Sequence, residues 1–172
     1  MTNQTKTTPQ TIESYIRVQS MTAAIINAIV NPALAWLMNQ KIAPVSLWQG
    51  SSIAMDTIIT SIILSLLVAH FSASGTGSAL KSGQMEIKPD MAEQNRFIRY
   101  LPKKPWQTGL LFSFCNMLIL LPLLTAIFNI AGIITIPFSV FAIYKSIFTA
   151  TLAYITASCT IKKELAKVSQ SK

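Results

Sequence analysis

Four long apolar runs separated by polar stretches dominate the chain, at about 20–38, 50–71, 106–128 and 137–159. Each approaches the ~20 residues that an α-helix needs to cross the hydrocarbon core of a bilayer. Backbone amides in lipid have to be satisfied within their own segment, so runs of this length read as helices and not as strands. The punctuation agrees. Trp36, Trp48 and Trp106 stand at the proposed ends, where an indole keeps its ring apolar and its N–H wet. Asn129, Gly132 and Pro137 supply a stop and then a start between the third and fourth runs, which predicts a tight antiparallel hairpin.

Polar and small residues inside the runs recur at helical spacing. The first run carries Ser20, Ala24, Asn27, Ala28, Asn31 and Ala35; the second carries Gln49, Ser52, Asp56 and Thr60. Gly109, Ser113 and Asn116 mark the third, and Ala142, Lys145, Thr149, Ala153 and Thr156 the fourth. A spacing of three or four residues puts each set on one helix face. Membrane helices turn such faces toward one another, because lipid provides no hydrophobic drive and close packing with hydrogen bonds substitutes for it. The expected fold is all-α: a polytopic membrane four-helix bundle with the polar faces inward, as one membrane domain over 1–172.

Composition supports this class. Of 172 residues 51% are hydrophobic and only 12% charged, about half the charge of a soluble domain, and mean hydropathy is +0.48. The formal net charge of +8 would suggest nucleic acid in a soluble protein. Here the basic residues instead flank the apolar runs, which points to a membrane surface and to no nucleic-acid partner. Of the 14 Lys and Arg residues, all but Lys41 and Lys145 fall in the N-terminal tail, the middle loop and the C-terminal tail. The positive-inside rule then predicts that both termini and the middle loop are cytoplasmic. Lys6 and Arg17 followed by an apolar run and Ala33-Leu34-Ala35 also imitate a cleavable signal. The long polar lead and the asparagines Asn27 and Asn31 favour an uncleaved first helix.

The middle loop, 72–105, divides in two. Its Gly/Ser-rich first half reads as a flexible connector. The sequence GTGSALKS within it only faintly imitates a phosphate loop, since Leu80 replaces a required glycine and no strand precedes it. In the second half Asp90 and Glu93 have capping-box spacing, with Met91, Phe97, Ile98 and Leu101 as an apolar face. An interfacial helix over 90–101 is expected, with Arg96, Arg99, Lys103 and Lys104 against anionic lipid headgroups; an ordinary basic elbow is the alternative.

Two charges lie within the runs. At ~1.5 Å per residue, Asp56 lies roughly 9 Å and Lys145 roughly 12 Å from the outer end of their helices, with Asn31 at about 10 Å. The convergence predicts an Asp56–Lys145 ion pair with Asn31 and Thr60 as hydrogen-bond partners. Pro32 and Pro122 each free a backbone carbonyl nearby. Intramembrane charges are costly and suggest function by default, whereas a pair can also simply lock helix register. Enzymatic chemistry finds no support: His70 is the lone histidine at a helix end, Cys115 and Cys159 are isolated, and no spacing for a metal or cofactor occurs.

The stretches NPALAW, DTIITSIILSLLV, LPKKPWQTGLL and PFSVFAIYK together resemble a group of small bacterial four-helix inner-membrane proteins of unassigned function, sometimes labelled permease. The resemblance spans nearly the whole chain and implies the bacterial inner membrane, without assigning a site. Two functional readings follow. One is a structural, regulatory or accessory membrane subunit that uses the ion pair as internal glue. The other is a transport component, homodimeric or with another membrane protein, whose Asn31, Asp56 and Lys145 cluster binds a small solute or relays protons.

Overall fold

The computed structural model describes residues 11–38, 44–49, 52–83, 98 and 100–169. Four helices make up nearly all of it: α1 (Ile12–Met38), α2 (Ile53–Lys81), α3 (Pro105–Ala131) and α4 (Phe138–Ser169). Two short strands, β1 (Val45–Ser46) and β2 (Thr135–Ile136), lie in the loops before α2 and α4. All four helices are long and apolar enough to cross a membrane. At 27 to 32 residues they run about 40–48 Å, beyond the ~30 Å of a hydrocarbon core.

Local chemistry sets the helix ends. The Ser14 amide donates to Thr11 Oγ1 at the start of α1, and the Met55 amide donates to Ser52 Oγ, 3.2 Å away, at the start of α2. Pro105 opens α3, where a missing N–H costs nothing. Gly132 ends α3 with φ +61°, and this left-handed residue lets the Ile133 amide return to the Phe128 carbonyl at 2.9 Å. The β strands pair antiparallel, Val45 with Ile136 and Ser46 with Thr135. That pairing ties the α1–α2 and α3–α4 loops together at one end of the molecule, here the loop end; the opposite end is the termini end.

The helices do not form an even ring. α4 packs on α1 along its length and α2 packs on both α3 and α4, while α3 touches α4 only lightly and α1 barely meets α2. The interior is rich in hydroxyls: Ser20, Thr57, Ser61, Ser65, Thr149 and Thr156 are all buried. The outside carries Ile25, Ile29, Leu34, Leu118, Ile119, Ile143 and Ile147. Small polar groups inside and large apolar ones outside are what packing in lipid demands. The chain is therefore an all-α four-helix bundle suited to a multi-pass membrane protein.

Glycine shows how close the helices come. A Cβ on Gly109 of α3 would stand 2.7 Å from the Ser65 carbonyl oxygen of α2. Asn116 extends the same seam, donating from Nδ2 to Ser61 Oγ at 2.9 Å.

Several expected boundaries change. The second run was expected to end near Phe71 and pass into a flexible connector, but α2 continues through the Gly/Ser-rich stretch to Lys81. Thr76 and Ala79 are buried there, and Ala79 joins Ile12, Tyr15, Ile161 and Leu165 in a cluster at the termini end. Burial of this face overrides the poor helix propensity of glycine and serine. The same cluster explains why α1 starts at Ile12 and α4 runs on to Ser169, beyond the expected limits. The expected interfacial helix over 90–101 falls mostly outside the described residues; within it, Ile98 and Leu101 are buried and Tyr100 is exposed.

Candidate functional site

The polar residues of the loop-end half come from α2, α4 and α1. Asp56 occupies the first turn of α2, where its negative charge suits the positive end of the helix dipole. Because α2 begins at Ile53, the carboxylate is only about 4.5 Å beyond the helix start, shallower than the sequence suggested. Lys145 lies two turns into α4. Helical side chains lean toward the N-terminus, which in α4 is the loop end. The lysine stem therefore runs back past Phe141, one turn earlier, with Nζ 5.7 Å from the ring centroid. It ends against the Asp56 carboxylate, where Nζ donates to Oδ1.

The partners differ in environment. The Lys145 side chain is only 5% exposed and that of Asp56 27%. The second carboxylate oxygen, Oδ2, is buried and has no hydrogen-bond partner among the described residues. Val45, Leu47, Ile53 and Phe141 form an apolar cluster at this end together with Ala35, Leu124 and Phe128.

A second link joins the same helices one residue away. The Thr57 and Tyr144 hydroxyls are 2.8 Å apart. Ser146, on the other side of Lys145, turns toward α1 and donates from Oγ to the Ala28 carbonyl at 3.0 Å. That carbonyl would ordinarily accept from the amide of residue 32, but Pro32 has none. Ser146 thus supplies across the interface the donor that proline removes within the helix. Thr149 adds another contact with α1: its one hydroxyl proton is shared between the Asn27 carbonyl at 2.9 Å and the Lys145 carbonyl of α4 at 2.8 Å. Residues 144, 145, 146 and 149 of α4 together fasten α2 on one side and α1 on the other.

The sequence-selected residues divide accordingly. Asp56 and Lys145 meet. Asn31, expected to join them, instead donates from Nδ2 to the Asn27 carbonyl and to Asn27 Oδ1, at 3.2 and 3.1 Å within α1. Thr60 is half-buried and bonds neither charge, because the buried face of α2 passes through Thr57, Ser61 and Ser65. Both expected hydrogen-bond roles are therefore corrected. Lys103 and Lys104 are exposed just before α3, whereas Arg96 and Arg99 lie outside the described residues. His70 is exposed on α2 with its ring edge-on to Phe71, and Cys115 and Cys159 stand on different helices.

Sequence reasoning missed Thr57, Tyr144, Ser61 and Ser146. A signal existed for the last: Pro32 identifies Ala28, four residues earlier, as a carbonyl that needs a donor. Which helix would supply it depended on α1 packing against α4. The arrangement can neutralise two charges against each other, fix the register of α4 on α2, and offer one carboxylate oxygen for a proton or a further donor. No protein-family model matches the chain, and comparison with curated proteins and with solved structures gives no match.

Proposed function

We propose that this chain is a non-catalytic component of a bacterial inner membrane, structural or regulatory, in which Asp56 and Lys145 lock α4 to α2. The observation that carries the reading is the set of bonds around the pair. Lys145 is enclosed and engaged by Asp56, the Thr57–Tyr144 link lies beside it, and Ser146 and Thr149 hold α1 on the same six-residue stretch of α4. Such a stack of cross-links suits a fixed interface more than one that opens in each cycle of transport. The excess of Lys and Arg in the tails and middle loop supports cytoplasmic termini. Lys103 and Lys104 are then available to anionic headgroups or to a membrane partner.

One observation favours a second reading, a small-solute or proton transport component. Asp56 Oδ2 is buried and has no hydrogen-bond partner among the described residues, so it offers an acceptor to a proton or a solute donor while Oδ1 stays with Lys145. Proteoliposomes loaded with a pH-sensitive dye separate the two. The structural reading expects no proton or cation flux above that of empty vesicles. A flux that Asp56→Asn abolishes in a folded protein would overturn it in favour of transport.

A further inference from the structure

α1 and α2 are consecutive yet hardly touch, because both lean on α4. The space between them is a trough of about 400 Å³ floored at one end by Ile161. Tyr15 to Asn27 line it on α1 and Leu64 to Gly75 on α2, which corresponds to lengths of about 18 and 17 Å. Asn27 and Leu64 each lie about 17 Å from the loop-end termini of their helices. The trough thus runs from mid-membrane to the termini end, close to the ~15 Å depth of one leaflet.

About 400 Å³ spread along about 17 Å makes the trough a slender groove, in proportion to a single extended alkyl chain.

The lining is graded in the same sense. Ile26, Leu64, Leu67 and Val68 form the inner part. Asn27, the polar side chain at the deep end, closes its bonds within α1: Nδ2 donates to the Ala23 carbonyl at 2.7 Å and Oδ1 accepts from Asn31. Tyr15, Gln19 and Ser72 lie toward the termini end. There the three framing helices carry exposed Arg17, Lys81 and Lys162, a charge that complements an anionic headgroup.

We propose that the α1–α2 trough holds one acyl chain of an anionic glycerophospholipid from the leaflet at the termini end, as a resident lipid. The inference rests on the membrane reading above and goes beyond the headgroup contacts expected of the middle loop. Contacts from α1 and α2 along its length, with Ile161 of α4 beneath one end, distinguish the site from the surrounding annulus, where a chain touches protein on one side only.

The test uses full-length protein in nanodiscs of phosphatidylethanolamine and phosphatidylglycerol in about equal parts, released for native mass spectrometry. The wild type is expected to retain one phosphatidylglycerol. Gly75→Leu, whose added Cβ meets nothing within 4 Å, fills the mouth and should lose that adduct while remaining folded. Ala23→Phe fills the trough from the α1 wall and should do the same, and Leu118→Phe on an exposed face should retain it. Retention by Gly75→Leu, a free fatty acid in place of phospholipid, or a dimer that Gly75→Leu dissolves would each overturn the proposal. A membrane-extracted wild type with no bound phosphatidylglycerol overturns the trough alone; a wild type released from membranes by alkaline carbonate overturns the membrane reading with it.

Discussion

Neutralising Asp56 and neutralising Lys145 should not cost the same. Asp56→Asn leaves an ammonium on a side chain only 5% exposed, with Phe141 beside it. Breaking a buried pair by removing one partner typically costs about 3–5 kcal/mol, and this variant belongs in that range. Lys145→Met leaves a carboxylate that is 27% exposed and lies in the first turn of its helix. Access to interfacial water and the helix dipole lower that cost, to about 1–3 kcal/mol. Removing both charges strands neither, and the double variant should lie within about 1 kcal/mol of the wild type. The coupling between the two sites would then be about 3 kcal/mol or more, against the ~0.5 kcal/mol at which distant sites add. The assay is unfolding by sodium dodecyl sulfate in mixed micelles, followed by circular dichroism, on all four proteins. Additive costs, or a double variant as unstable as Asp56→Asn, would refute the lock.

Three further outcomes follow from the packing. Gly109→Ala sets a methyl 2.7 Å from the Ser65 carbonyl oxygen and 3.0 Å from Leu66 Cα, backbone atoms that cannot rotate away, so the α2–α3 seam should lose about 1–3 kcal/mol in the same unfolding assay. Ser146→Ala strands the Ala28 carbonyl at a cost of about 1–3 kcal/mol, and in a Pro32→Ala background the cost should largely vanish because residue 32 regains its amide. Thr57→Val and Tyr144→Phe should each cost about 1 kcal/mol and the double variant little more, since they remove one shared bond.

The parts of this fold that lipid dictates were legible in the sequence. Four runs of near-spanning length had to be helices, and the three- and four-residue spacing of Ser20, Ala24 and Ala35 marked the face of α1 that is buried. The face of α2 was harder to find. Its Ser and Thr residues are spread around the helix, and Asp56 drew attention to the Ser52–Thr60 line, whereas Thr57, Ser61 and Ser65 make the contact. The length of α2 past Phe71 was hidden as well, because Gly75 and Gly77 report local propensity and the burial of Ala79 against Tyr15, Ile161 and Leu165 is a tertiary event. Two-residue strands have no periodicity to read, so the tie between Val45 and Ile136 had no sequence signature. At the candidate site, helical rise put Asp56 and Lys145 at comparable depth. That α4 packs against α2, so that the lysine reaches Asp56 past Phe141, depended on the packing order of the helices.

Everything proposed for the pair, the headgroups and the trough depends on four crossings with the termini end in the cytoplasm. Cysteine accessibility tests that directly. With Cys115 and Cys159 replaced by Ala, single cysteines would be placed at Gln49, exposed at the loop end, and at Lys103, exposed at the termini end. In intact spheroplasts of a bacterial host, a membrane-impermeant maleimide should label Gln49→Cys, and should label Lys103→Cys only after lysis. Labelling of Lys103→Cys in intact spheroplasts, or equal labelling of both positions before lysis, would contradict the account.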